Sequence, residues 1–293
     1  LAKVENTAQK EYYEKYFPKF DLFNGNPIPF SRVEDYSTRL FIDKRSEFAY
    51  LRRNGLQAVS GDVLMKQLAD CSAKSRGRLP TYCEWRSSKN LRYDFMDKEG
   101  FFLEFVERAR ANGINSNFDY SARWLQFESK ECEILVDTRE QQPLFDCEKT
   151  TINVGDYTLS KENYNGVHVD RKSKADFIGT FTKGLDRFRK ECEKARAMDI
   201  TIVVLIEETY QKCFTYLPLK FTKQKVTGES AFHGLRKISR EFPEVQFLFV
   251  DGREEAKEYI KMLLNNKNII ESVDLQFMYE LGELDIKIVE DSL

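Results

Sequence analysis

Residues 133–172 read EILVDTREQQPLFDCEKTTINVGDYTLSKENYNGVHVDRK, and this stretch decides what the chain builds around it. A short apolar run closes on Val136-Asp137-Thr138-Arg139-Glu140, a Gly155-Asp156 pair marks a turn, and a third run, Val167–Asp170, leads into Arg171 and Lys172. Side chains alternate faces along a strand, so Asp170 and Lys172 share one face. The thirteen residues between Asp156 and Asp170 suit a hairpin that returns the second acid beside the first. Carboxylates at strand ends and turns are donors for a hard divalent cation. Such a cation can supply what phosphodiester hydrolysis needs, an activated water and charge neutralisation at the phosphate, and a lysine beside it can orient the water or help deprotonate it.

Downstream, strands and helices alternate. Residues 134–137, 151–154 and 167–170 read as strands, and a helix is expected over 173–198, interrupted at Thr182-Lys183-Gly184 because a mid-helix glycine is costly. TIVVLI at 201–206 is a continuous β-branched run, the mark of a strand buried on both faces. A helix near 229–242, a strand at 245–250 and a helix at 253–264 follow. The pattern predicts an α/β domain over 126–266 with a largely parallel sheet behind a hairpin. Residues 267–293 read as an acidic C-terminal tail or a dimer-related extension.

Upstream, residues 1–125 are expected to form a smaller, mainly helical domain. Helices are expected from Ser31 to about Asn54 and from Ser60, while 91–112 fits a hairpin or a helix equally well. Residues 66–92 hold Lys66, Lys74, Arg76, Arg78, Arg86, Lys89 and Arg92 against Asp70 and Glu84, with Tyr82, Trp85 and Tyr93 among or beside them. Cations bind phosphates and aromatic faces stack on unpaired bases, so Arg76, Arg78 and Arg86 are candidate nucleic-acid contacts; a solvated loop with docked aromatics is the plainer reading.

The totals are less specific. A net charge of −2 divides into 22 Lys+Arg against 18 Asp+Glu in residues 1–130 and 24 against 30 in 131–293. Near-neutrality argues against indiscriminate coating of DNA and leaves local patches free to bind it. The six cysteines form no Cys-x-x-Cys pair and there are two histidines, His168 and His233, so a zinc site is not expected and a reduced, intracellular location (cytoplasmic or nuclear) is. No apolar run approaches a membrane span, and no apolar signal core opens the sequence.

Together these motifs resemble the nuclease domain of the XPF family within the PD-(D/E)xK superfamily. Val136–Glu140 is similar to its VDxRE opening, Val154-Gly155-Asp156-Tyr157 to its VGDY turn, Val169–Ser173 followed by Asp176 to its V-E-R-K-S-x-x-D signature, and Val203–Glu207 to its LLIE-like strand. The resemblance covers about 133–264 and implies a restriction-endonuclease-like fold, a mixed central sheet flanked by helices. It implies a Mg2+- or Mn2+-dependent endonuclease acting on branched or flapped DNA, as a homodimer or heterodimer. Asp156, Asp170 and Asp137 would be metal ligands and Lys172 the catalytic lysine. Arg139 and Glu140 would complete the site, and Arg171, Lys183 and Arg187 would contact nucleic acid, with Asp176 in support.

Two departures stand out. Asp170 replaces the usual Glu, and no tandem helix-hairpin-helix module is recognised in residues 265–293. A non-catalytic DNA-binding scaffold and a duplex-cutting recombination or restriction nuclease are the rival readings. Each residue also has a plain structural one. Asp156 forms turns, Asp137 can cap one, Arg139 and Glu140 can pair, Asp176 suits a helix N-terminus, and Lys183 and Arg187 can simply face water.

Overall fold

In the computed structural model, the described residues are 21–23, 26–27, 78–87, 98–120, 127, 132–218 and 226–284. The chain divides into two compact units. One comprises 1–79 with 88–116, and the other 80–87 with 117–293. Within the first, strands β1 (Asp21–Phe23) and β2 (Asn26–Pro27) pair antiparallel. Its helix over Lys98–Ala111 realises the helical alternative for 91–112, with Phe102, Phe105, Val106 and Ala109 buried at three- and four-residue spacing. The helices expected between 31 and 68 lie outside the described residues.

The second unit begins with α1 (Tyr82–Arg86); the Lys98–Ala111 helix is then α2. A six-stranded sheet follows, in the order β4-β3-β5-β6-β7-β8. Its strands are β3 (Ile134–Asp137), β4 (Lys149–Thr150), β5 (Tyr157–Leu159), β6 (Val167–Lys172), β7 (Thr201–Ile206) and β8 (Gln246–Phe249). β3, β5 and β6 run antiparallel to their neighbours in that series, while β6-β7-β8 and β3-β4 are parallel. The sheet is therefore mixed, as the resemblance implies, with the all-buried TIVVLI strand inside its parallel part.

Helices α3 (Lys174–Thr180), α4 (Leu185–Ala197), α5 (Tyr210–Phe214) and α6 (Gly228–Glu241) share a core with Ile202, Val204, Ile206, Phe247 and Phe249. Phe177, Phe181, Phe188 and Phe232 fill it, each buried side chain contributing roughly 2–3 kcal/mol by area. Gly234 lets α6 approach closely, because a Cβ there would lie 1.9 Å from the Phe181 carbonyl oxygen. Helix α7 (Arg253–Asn265) contacts β5, β6 and β7, and α8 (Lys267–Ser272) and α9 (Leu275–Glu280) complete the unit. No helix among the described residues is long and apolar enough to cross a membrane.

Three expectations need correction. Residues 151–154 form no strand. The Ile152 amide donates to Asp137 Oδ2 at 2.7 Å and the Ile152 carbonyl accepts from Arg139, so side chains take the groups a ladder would use. Of the two readings of 267–293, the acidic tail does not describe the residues up to Leu284, which are packed. Leu275, Phe277 and Met278 are fully buried, and the Asp274 carboxylate caps α9 and accepts from the Tyr82 amide. Residues 80–87, placed by sequence in the N-terminal domain, belong to the second unit. Tyr82 and Trp85 are core residues there, and a reciprocal Thr81–Glu84 capping box holds α1.

Candidate active site

Alternation along β6 sorts the residues that matter. His168, Asp170 and Lys172 pair in register with Ile202, Val204 and Ile206, which face the α3–α4 core, so these three lie on that side. Arg171 takes the opposite face. Tyr157 pairs with Val169, so Asp156 stands opposite Asp170 across two antiparallel strands, the separation at which side chains interact directly.

On the α4 side, Lys172 Nζ lies 3.0 Å from Asp170 Oδ1 and 2.7 Å from Oδ2. Only the Oδ1 contact has hydrogen-bond geometry, leaving Oδ2 a buried oxygen held by charge alone. Asp156 Oδ2 accepts from the Arg171 amide at 2.9 Å. Burial, then the Asp170 charge, push Asp156 well above the carboxylate range, with Lys172 and the Arg171 amide offsetting part of it. Burial would lower Lys172, but Asp170 outweighs it and the ammonium is favoured.

Glu191 on α4 joins this group. Its Oε1 accepts the Gly155 amide at 3.1 Å, and burial and then Asp170 raise its pKa. Sequence reasoning missed it. Its signal was its place between Phe188 and Cys192, both buried on the same helix, where a carboxylate must turn toward the protein.

The neighbouring acid differs. Burial would raise the Asp137 pKa, yet four hydrogen bonds keep it below the usual value. Oδ1 accepts from Arg139 N (2.8 Å) and Nε (2.6 Å), and Oδ2 from Arg139 Nη2 (3.1 Å) and Ile152 N (2.7 Å). With four hydrogen bonds on its two oxygens, Asp137 acts as a structural clamp in this arrangement. Arg139 is its partner, and Glu140 belongs to the other face of β6.

There Arg171 bridges Glu140 (2.9 Å) and Glu207 (2.8 Å), with its guanidinium largely buried. Arg253 reaches Glu207 at 3.4 Å and the carbonyls of Gln142 and Pro143. Arg171 was expected to touch nucleic acid; it is instead an internal brace behind the site. Arg86 needs the same correction. It is buried, ion-paired with Glu280, and its guanidinium carbon lies 4.0 Å from the Tyr210 ring centroid. Arg78 is half-buried and donates to the Leu79 carbonyl, and Arg76 lies outside the described residues. Lys183 and Arg187 are exposed, with no ion pair among the described residues. Asp176 accepts from the Ser173 hydroxyl that caps α3 and so ends β6 at Lys172. His168 is held between the Val154 carbonyl (2.7 Å) and the Tyr164 hydroxyl (3.1 Å).

The ERCC4 domain family matches residues 126–263. Residues 126–263 of this chain therefore form an ERCC4 domain. That family comprises DNA structure-specific nucleases. Similar solved structures include XPF from Aeropyrum pernix, at 14% identity over 52% of this chain and 69% of that chain, with a TM-score of 0.34. Another is XPF from Aeropyrum pernix in complex with DNA, at 14% identity over 53% and 68%, with a TM-score of 0.31. No curated protein matches the chain.

Whether the residues suit a cation can be judged from the donors. Among the described residues no three His, Cys, Asp or Glu side chains form a ready metal cage. Magnesium does not demand one, since it is commonly held by one or two carboxylates, with water and substrate phosphate completing the shell. Asp156 and Asp170 offer carboxylate oxygens as ligands, and Asp170 Oδ2, 2.7 Å from Lys172 Nζ, accepts no further hydrogen bond.

Proposed function

We propose that this protein is a Mg2+-dependent DNA endonuclease that hydrolyses phosphodiester bonds at branched or flapped DNA. The observation that supports it most is the buried Asp170–Lys172 pair facing Asp156, with a carboxylate oxygen left without a hydrogen bond. Burial and the Asp170 charge raise the Asp156 pKa, and a carboxylate perturbed in this way beside a charge partner is typical of a site kept for chemistry.

Asp156 and Asp170 would hold Mg2+, or Mn2+ in its place, and the bound ion supplies Lewis acidity to the phosphate and acidifies a water. Lys172, fixed at the strand end by Asp170, donates to the attacking water or to a non-bridging phosphate oxygen. Asp137, saturated by Arg139 and the Ile152 amide, anchors the β3 end beside which Asp156 sits; the Asp137 amide itself donates to the Asp156 carbonyl at 2.8 Å. Lys183, just before α4, and Arg187, on it, are exposed and would serve as contacts for flanking phosphates. Pairing with a second chain of this kind, as homodimer or heterodimer, belongs to the same proposal.

The test is a panel of flap, fork and matched linear duplex in Mg2+ and in EDTA, with Lys172→Ala as control. Mg2+-dependent cutting of flap and fork is expected. Retained binding with no cutting would leave a scaffold, and equal cutting of linear duplex would remove the branch preference.

A further inference from the structure

We infer that Glu191 is a positioning residue that locks the Asp156 turn onto the sheet, an inference resting on the nuclease reading above. Three consecutive residues of that turn are tied to three different anchors. The Val154 carbonyl is bonded to His168 Nδ1 (2.7 Å), the Gly155 amide donates to Glu191 Oε1 (3.1 Å), and the Asp156 amide donates to the Val169 carbonyl (2.9 Å). Two anchors come from β6 and Glu191 reaches in from α4, where Lys194 also donates to the preceding Asn153 carbonyl at 3.0 Å.

The turn has little freedom of its own to fall back on. Gly155 has φ +72°, and a Cβ there would lie 3.1 Å from the Val169 carbonyl oxygen, so the backbone is pressed against β6 in a conformation only glycine adopts easily. Without Glu191 the Gly155 amide loses its acceptor in a partly buried place, and the turn must shift to reach water. Asp156 is the next residue and moves with it. Phe188 and Cys192, buried on either side of Glu191, fix where the helix presents this carboxylate. Glu191 is thus tied to the turn by a hydrogen bond to its backbone, and its acceptor oxygen carries the role.

The experiment measures Mn2+ binding without DNA, by electron paramagnetic resonance, for wild type, Glu191→Gln, Glu191→Asp and Glu191→Ala, with melting temperature and flap cleavage alongside. Outer partners of metal sites change affinity by about 10–100-fold, and Glu191→Ala should weaken Mn2+ binding on that scale. Glu191→Gln keeps the acceptor and should restore most of the affinity. Glu191→Asp keeps the charge but not the reach and should not. If Glu191→Ala binds Mn2+ like wild type while wild type cuts DNA, the inference fails and the nuclease reading stands. If Asp restores and Gln does not, charge rather than the hydrogen bond is at work, and the positioning role is overturned. A wild type that neither binds Mn2+ nor cuts sinks both.

Discussion

Two acidic corners lie at the ends of adjoining strands and are built to opposite rules. At the end of β3, Asp137 is fully buried and spends both oxygens on Arg139 and the Ile152 amide. Across β5 and β6, Asp156, Asp170 and Glu191 crowd like charges around one lysine and leave an oxygen without a hydrogen bond. The same residue type is a clamp in one place and a strained donor in the other. What separates them is how many donors converge on the carboxylate. The first corner ties its acid down with hydrogen bonds; the second holds carboxylates of raised pKa side by side, as a site kept for the proposed chemistry would.

The contrast breaks most readily at Lys172. Lys172→Ala should lower cleavage by about 10²–10⁴-fold, the range for losing a positioned proton-handling or charge-stabilising group, while circular dichroism stays native. Asp137→Ala should act the other way round, on stability. It strands the buried Ile152 amide and frees Arg139, costing roughly 1–3 kcal/mol in urea unfolding; no loss would mean the clamp is dispensable.

A gain is expected from the reactive corner. Asp156→Asn keeps an oxygen for the Arg171 amide and spares the folded protein the cost of protonating a buried carboxyl, so it should stabilise the metal-free protein at neutral pH by roughly 0.5–2 kcal/mol while abolishing cutting. A destabilised Asp156→Asn would place Asp156 with Asp137 as a structural acid. The smallest effect lies outside both corners. Replacing Lys183 and Arg187 by Ala should leave folding intact and reduce the salt slope of DNA binding by up to about 1.8, near 0.9 for each phosphate that is no longer neutralised. An unchanged slope would return both residues to plain solvation.

A third buried acid calibrates the comparison. Asp274 is raised to about 6 by burial, against hydrogen bonds from the Tyr82 and Phe277 amides and the Tyr120 hydroxyl. Its folded pKa exceeds its unfolded one, so the native state holds the proton more tightly. The stability this contributes is complete below about pH 4 and lost as pH rises through about 6, an effect of a few kcal/mol at most. Unfolding free energies of wild type and Asp274→Asn, compared at pH 4 and pH 7, should diverge by that amount in wild type's disfavour at the higher pH. Parallel pH dependence would contradict it.

Much of this was legible in the sequence for physical reasons. TIVVLI could only be a strand buried on both faces, the Gly155-Asp156 pair could only be a turn, and the i, i+2 spacing of Asp170 and Lys172 put them on one face. The same alternation sends Arg171 to the opposite face, a signal present in the sequence that the expectation of a nucleic-acid contact overlooked. The burial of Arg86 was not legible, because its partners Tyr210 and Glu280 lie far along the chain and nothing local announces them. Glu191 sat among many charges in FRKECEKAR, and only its place between two buried positions marked it. The saturation of Asp137 was likewise hidden, since it depends on a loop amide fifteen residues away.

The most direct test is the single-turnover rate of flap cleavage in Mg2+, measured for wild type and for Lys172→Ala at equal folded fraction. A wild type that cuts, is silenced by EDTA and is slowed at least about 100-fold by the substitution is the predicted result. Equal rates for the two proteins would contradict the assignment of chemistry to the Asp156, Asp170 and Lys172 corner.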